Sequence, residues 1–217
     1  MRSSSSDRVA RHFDSHARDF DAIYSADKGL LRSLRDRLTR GTVTGRLDFV
    51  NDLAAGNPPK RVLDVGCGSG RFGASLAQRG AEVVVGLDFA PEMLVLAEQR
   101  CAEAGVGDRC TFLQEDFLTW EWDEPFDLVL AIGVLDYVAE ADPFVARLAT
   151  ASRGMTVISF PRLMHPLTPV RALRLRMKEC PVYFYRQNEV DALARSHFPN
   201  SRVVMFDRDY LLIGQAS

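Results

Sequence analysis

Five short apolar runs, at 61–65, 82–87, 110–114, 127–132 and 155–160, are spaced by helix-like patterns at 71–79, 91–104 and 142–152. Runs of this length with little polar alternation read as strands covered on both faces, and their alternation with helices predicts a doubly wound parallel sheet. Two later runs, 203–206 and 210–213, are separated only by Asp207-Arg208-Asp209, which predicts a hairpin and an antiparallel last strand. The expected fold class is α/β: three layers, doubly wound, with a seven-stranded mostly parallel sheet, an antiparallel last strand and N-terminal helices.

Before the first run, Val9, Phe13, His16 and Phe20 recur on one helical face, Tyr24 follows, and 29–38 and 43–53 read as further helices. Gly56-Asn57-Pro58-Pro59 then breaks the chain. After the fifth run, residues 161–187 form an insertion carrying Pro161, Pro166, Pro169 and Pro181. Residues 168–178 within it suit a helix with Val170, Leu173 and Met177 on one face and Arg171, Arg174 and Lys178 on another. A closing helix is expected at 188–197. The whole chain, 1–217, is read as one domain divided at 1–56, 60–160, 161–187 and 188–217.

The chemistry concentrates in Asp64-Val65-Gly66-Cys67-Gly68-Ser69-Gly70, where a strand ends in an acid and breaks into alternate glycines. Glycines allow a tight turn and close approach of a ligand to the backbone. Gly68-Ser69-Gly70-Arg71-Phe72-Gly73 is also a literal G-x-G-x-x-G with Asp88 20 residues after Gly68, as in a dinucleotide site. Counted from Gly66, the first glycine after the strand, that pattern places Arg71 where its third glycine belongs. An acid beside the loop also opposes a pyrophosphate but suits a cation, such as a sulfonium or an α-ammonium. Downstream, Asp88 ends the second run, Glu115-Asp116-Phe117 follows the third, and Phe126-Asp127-Leu128-Val129-Leu130-Ala131-Ile132-Gly133 makes the fourth. Singly, Asp88 fits a helix N-cap and Asp116 a turn residue.

Taken jointly, VLDVGCGSG, GLDFAPEML, EDF and FDLVLAIGVLDYV resemble the class I methyltransferases that use S-adenosylmethionine (SAM), from about residue 61 to 160. The resemblance implies SAM as cofactor, with Asp64, Gly66, Cys67, Gly68, Gly70, Asp88, Phe89, Met93, Asp116, Phe117 and Ile132 binding it. Asp88 would accept from the ribose hydroxyls and Asp116 from the adenine amino group, with Phe117 covering the ring. It makes 1–56 a lid segment, 60–160 the cofactor core and 161–187 the acceptor side. Asp136, Tyr137 and His165 are the candidate catalytic residues; many family members carry His or Glu near the place of Asp136. Tyr24, Arg171, Arg174, Tyr183 and Tyr185 are the candidate acceptor contacts. A nicotinamide oxidoreductase and an RNA or protein methyltransferase stand as alternatives.

Composition narrows the partners. A formal charge of −2 and a pI near 6.1 give no overall attraction to nucleic acid. The absence of an N-P-P-Y type tetrapeptide after the fourth run points further to a small-molecule acceptor. The basic face of the insertion fits a solvated surface, a carboxylate clamp or a peripheral contact with anionic head groups. Cys67, Cys101, Cys110 and Cys180 form no C-x-x-C pair, and His12 and His16 lack a third partner, so no metal site is expected. Cys67 is read as a small loop residue, although a helix N-terminus could lower its pKa. With no long apolar stretch and no leader-like N-terminus, the chain is expected to be cytoplasmic.

Overall fold

The computed structural model describes residues 45–165, 168 and 182–216. The expected helices before residue 45 and the insertion helix therefore lie outside the described residues, with Tyr24, Arg171 and Arg174. Seven strands form one sheet: β1 (Arg61–Val65), β2 (Val83–Leu87), β3 (Cys110–Leu113), β4 (Phe126–Ala131), β5 (Ser152–Pro161), β6 (Asn200–Phe206) and β7 (Asp209–Gln215), in the order β3-β2-β1-β4-β5-β7-β6. The β1 to β5 pairings are parallel, whereas β7 runs antiparallel to both β5 and β6.

Helix α1 (residues 45–55), α2 (Arg71–Gln78) and α3 (Pro91–Glu103) lie on one side of the sheet, and α4 (Ala141–Ala151) and α5 (Gln187–His197) on the other. The division follows from side-chain alternation. Val62, Val84, Leu128, Leu130 and Val157 meet Val50, Ala54, Leu76 and Ala77, whereas Leu63, Val129, Ile158 and Phe160 meet Phe144, Leu148, Val190 and Ala194. Both faces are dry, which explains why the strands read as nearly continuous apolar runs.

Two boundaries differ from expectation for a physical reason. Strand β5 begins at Ser152, directly after α4, because Gly154 allows close backbone approach: a Cβ there would lie 2.4 Å from the Asp127 carbonyl oxygen. The closing strands are also longer than 203–206 and 210–213, and their turn is only Asp207-Arg208, with Asp207 at φ 50°. Strand β6 is an edge whose polar Asn200, Ser201 and Arg202 hide the strand signal.

At the starting edge of the sheet, Asp127 Oδ2 accepts from the Lys60 and Arg61 amides at 2.9 and 2.8 Å, and Oδ1 from Arg153 Nε at 2.8 Å. The ends of β1, β4 and β5 are thereby pinned opposite the glycine loop. A shallow groove lined by Ala54, Ala55, Pro58, Pro59, Leu76 and Arg79 opens on that same edge, away from the loop.

Candidate functional site

At the carboxyl end of β1 the chain turns through Gly66, Gly68 and Gly70, at φ 69°, 52° and 69°. The Gly66 and Cys67 amides both donate to the Leu87 carbonyl, at 2.7 and 3.0 Å, and Gly70 N donates to the Cys67 carbonyl at 3.0 Å. Each glycine is required differently. A Cβ on Gly66 would fall 2.3 Å from Val134 Cγ2 and one on Gly70 would fall 2.7 Å from Ala97 Cβ, whereas one on Gly68 would meet nothing within 4 Å. Gly68 therefore borders open space, as a loop that admits a ligand must. Gly70 is also the N-cap of α2, which has no side-chain cap.

Two acids face this loop. Asp64 is 2% exposed and its Oδ2 has no hydrogen-bond partner among the described residues. Burial, together with the negative charge of nearby Asp88, raises its pKa from 3.8 to about 7. Asp88 Oδ2 accepts from Gly68 N at 2.8 Å and Oδ1 from Ala90 N at 3.0 Å, so it braces the loop and the entry to α3. Ala90, rather than Asp88, is the N-cap of α3. The site thus holds a buried acid with an unused oxygen beside a second acid, under an open glycine. It suits a cation and disfavours a pyrophosphate.

Other expected cofactor residues divide between the site and the core. Phe89 follows Asp88, and its carbonyl accepts from Gln114 Nε2 at 3.0 Å, joining the loops after β2 and β3. Asp116 Oδ1 accepts from Leu118 N at 3.0 Å in an Asx turn. Ile132 is half-buried at the exit of β4. Phe117 is 3% exposed, with its ring centroid 6.2 Å from that of Trp122 and 5.2 Å from that of Phe144, so it packs with the core beside the loop after β3. Met93 is likewise only 1% exposed, packed with Ala90 and Leu96. Cys67 is buried in the loop, and burial and then Asp64 and Asp88 push its thiol well up, in keeping with a small loop residue rather than a reactive one.

Beyond β4, Asp136 is buried and its carbonyl accepts from Tyr183 N at 2.8 Å, which places the start of the closing segment beside the turn that carries Tyr137. His165 is half-buried in the chain after β5, and its carbonyl accepts from Thr168 N at 2.9 Å. Tyr185 is committed to structure: its hydroxyl donates to the Leu135 carbonyl at 3.1 Å and its ring meets Phe160 edge-on at 5.0 Å. Burial, then the charge of Asp136, raises its pKa to about 12. Tyr185→Phe is expected to lower unfolding free energy by about 1 kcal/mol, read by urea denaturation, because it strands that carbonyl. An unchanged midpoint would free Tyr185 for the acceptor.

Residues 62–153 match a family model described as a methyltransferase domain. Over those residues the chain is similar to a methyltransferase domain. Over 110 residues it is 39% identical to the ubiquinone biosynthesis O-methyltransferase of Hahella chejuensis, a stretch covering 50% of this chain and 44% of that protein. The namesake from Chromobacterium violaceum is 37% identical over 107 residues, or 48% of this chain and 44% of the relative. The match spans less than half the length of either relative. Magnesium protoporphyrin IX methyltransferase of Synechocystis PCC 6803, solved with bound SAH, shares the fold at TM-score 0.76 and 22% identity, over 99% of this chain and 100% of that one.

Within this fold, the structure brings together Asp64, Gly66, Gly68, Gly70 and Asp88, and separately Asp136, Tyr183 and Tyr185. Sequence reasoning missed Gly86 and Phe112. A Cβ on Gly86 would lie 2.5 Å from the Phe112 ring and 2.9 Å from Cys67 Sγ, so the ring and thiol that back the loop need this glycine. Its signal was legible as an isolated glycine within the β2 run. Arg46 and Asp209, described below, were also missed, since neither stands in a motif.

Proposed function

We propose that the chain is a methyltransferase that uses SAM to methylate a small-molecule acceptor at oxygen, nitrogen or carbon. The observation that carries this reading is the unpartnered, buried Asp64 Oδ2 beneath the open Gly68, with Asp88 alongside. This donor set fits SAM, which is cationic and carries no phosphate. Asp64 would attract its positive charge, Asp88 would accept from the ribose hydroxyls, and Asp116 would accept from the adenine amino group. The uncapped amides of α2 suit its carboxylate. The relatives' names, one from ubiquinone biosynthesis and one for a magnesium protoporphyrin, support a small acceptor.

When bound, SAM supplies a methyl group on a sulfonium that leaves as a neutral thioether. What remains for the protein is alignment and exclusion of water, worth together about 7–11 kcal/mol when the reacting atoms are held near contact. Gly133, at the exit of β4, and the turn through Asp136 and Tyr137 would form the wall on which the acceptor rests. A nucleophile arriving protonated would need a base, for which Asp136, Tyr137 and His165 are the candidates.

A thermal-shift panel of SAM, SAH, NADH and NADPH tests the reading, followed by a screen for SAH release with small acids, phenols and amines. Stabilisation by the first two compounds alone is expected, and stabilisation by a dinucleotide alone would overturn the proposal. Asp88→Ala is expected to weaken SAM at least about tenfold in calorimetry, because it removes the loop brace and charge-assisted acceptors for the ribose. A parental Kd in a folded variant would reject that assignment.

A further inference from the structure

Arg46 projects from α1 to the carboxyl end of the sheet. Its Nη1 lies 3.8 Å from the point a Cβ on Gly133 would occupy, which places a guanidinium against the residue that closes β4. The side chain is only 14% exposed, and its Nη2 pairs with Oδ2 of Asp209, itself 1% exposed at the start of β7. Among the described residues Asp209 is its one partner, and Arg46 Nε and Asp209 Oδ1 are both buried with no hydrogen bond there. The helix bearing Arg46 is seated by packing on the same hairpin: the Phe49 and Phe206 ring centroids lie 5.7 Å apart, and a Cβ on Gly45 would come within 3.0 Å of Phe206. Apolar contact already fastens α1, and a buried ion pair is weak ground for stability. An arginine with donors left over, aimed at the end of β4, requires a further explanation.

Building on the methyl-transfer reading, we propose that Arg46, held by Asp209, recognises an anionic oxygen of the acceptor, either a carboxylate or a phenolate. The planar guanidinium has five N–H donors, so the pair with Asp209 fixes one edge and leaves others for the ligand. Hydrogen bonds from its remaining N–H groups favour the ionised form of a phenol and hold a carboxylate without protonation. In the step that follows, an oxygen lone pair forms the new O–CH3 bond while the C–S bond breaks and its electrons remain on sulfur. Anion and sulfonium become neutral ester or ether and neutral thioether. No proton is released if the oxygen arrives ionised, so Asp136, Tyr137 and His165 would be spared a base role. The charge of Arg46 also disfavours an ammonium-bearing acceptor.

The test uses the full chain saturated with SAH and three matched ring probes: benzoate, catechol and the neutral benzamide, with binding read by ligand-observed NMR. Calorimetry with SAH alone comes first, and failure there sinks the methyltransferase reading itself. With SAH bound, benzoate or catechol is expected to bind and benzamide to bind at least about tenfold more weakly. A benzoate preference marks a carboxylate acceptor, and a catechol preference that strengthens as pH rises towards the phenol's ionisation marks a phenolate. Arg46→Gln is expected to erase the preference while leaving the SAH Kd within about twofold, and Arg46→Lys to restore part of it. Should Arg46→Gln fail to fold, Asp209→Asn keeps the cation and is expected to retain anion binding. Equal binding of all three probes, binding of none, or loss of SAH affinity and anion binding together in both variants would overturn the proposal.

Discussion

Asp64→Asn is expected to weaken SAM at least about tenfold at pH 8 and to remove most of the pH dependence of binding between pH 6 and 8. In the cofactor-free protein the Asp64 carboxyl titrates near pH 7, raised by burial and by Asp88. Above that pH the charged form awaits a cation; below it a proton takes the cation's place. Parental SAM affinity is therefore expected to fall as pH drops through 7, by up to about tenfold per unit once Asp64 is protonated. The sign for stability is opposite. The folded pKa is raised, so between pH 4 and 7 the folded protein binds more protons than the unfolded chain, and this group lowers stability as pH rises through that window. Cofactor-free Asp64→Asn should thus be no less stable than the parent at pH 8 although it binds SAM worse. The SAM-induced rise in Tm should grow with pH in the parent and stay flat in the variant. A pH dependence that survives the substitution, or a parental Kd, would remove Asp64 from the cofactor site.

How much of this was legible without coordinates depends on whether the signal was local. The strands, helices and glycine loop are encoded in contiguous residues, and the apolar runs of β1, β2, β4 and β5 report burial on both faces directly. Asp64 and Asp88 stand at strand ends, where the parallel register of β1 with β2 brings them to one edge. Phe117 shows what such reading leaves out. Its position after Asp116 points to the adenine, and only the fold shows the ring packed with Trp122 and Phe144, with Arg147 5.7 Å above its face. Tyr185 is similar, because only the return of the chain after the insertion puts its hydroxyl against Leu135. Arg46 and Asp209 are 163 residues apart, and no period or motif links them. Cys67 illustrates competition between physical effects, in which burial beside two carboxylates outweighs a backbone hydrogen bond to the thiol.

Gly66→Ala is expected to destabilise the chain by about 2–5 kcal/mol, from about 1–2 kcal/mol for a side chain in the left-handed region and about 1–3 kcal/mol for overpacking. Both costs are visible at this position. The backbone sits at φ 69°, and the new methyl would be placed 2.3 Å from Val134 Cγ2, whereas Val134 Cβ is 3.6 Å away. Val134→Ala removes the colliding methyl and leaves ordinary contact, so the double variant should recover the overpacking part and keep the backbone part. The expected signature is a coupling of about 1–3 kcal/mol between the substitutions in urea denaturation. SAM affinity is expected to follow a different order. The Gly66 and Cys67 amides share the Leu87 carbonyl and set the height of the loop over Asp64, so a loop shifted by Gly66→Ala should lose affinity that the double variant regains only in part. Strict additivity in stability would show that Val134 yields without cost and that Gly66 is required for its backbone angle alone. Full recovery of both stability and SAM binding in the double variant would show the reverse, that steric contact with the turn after β4 is the whole reason for glycine there.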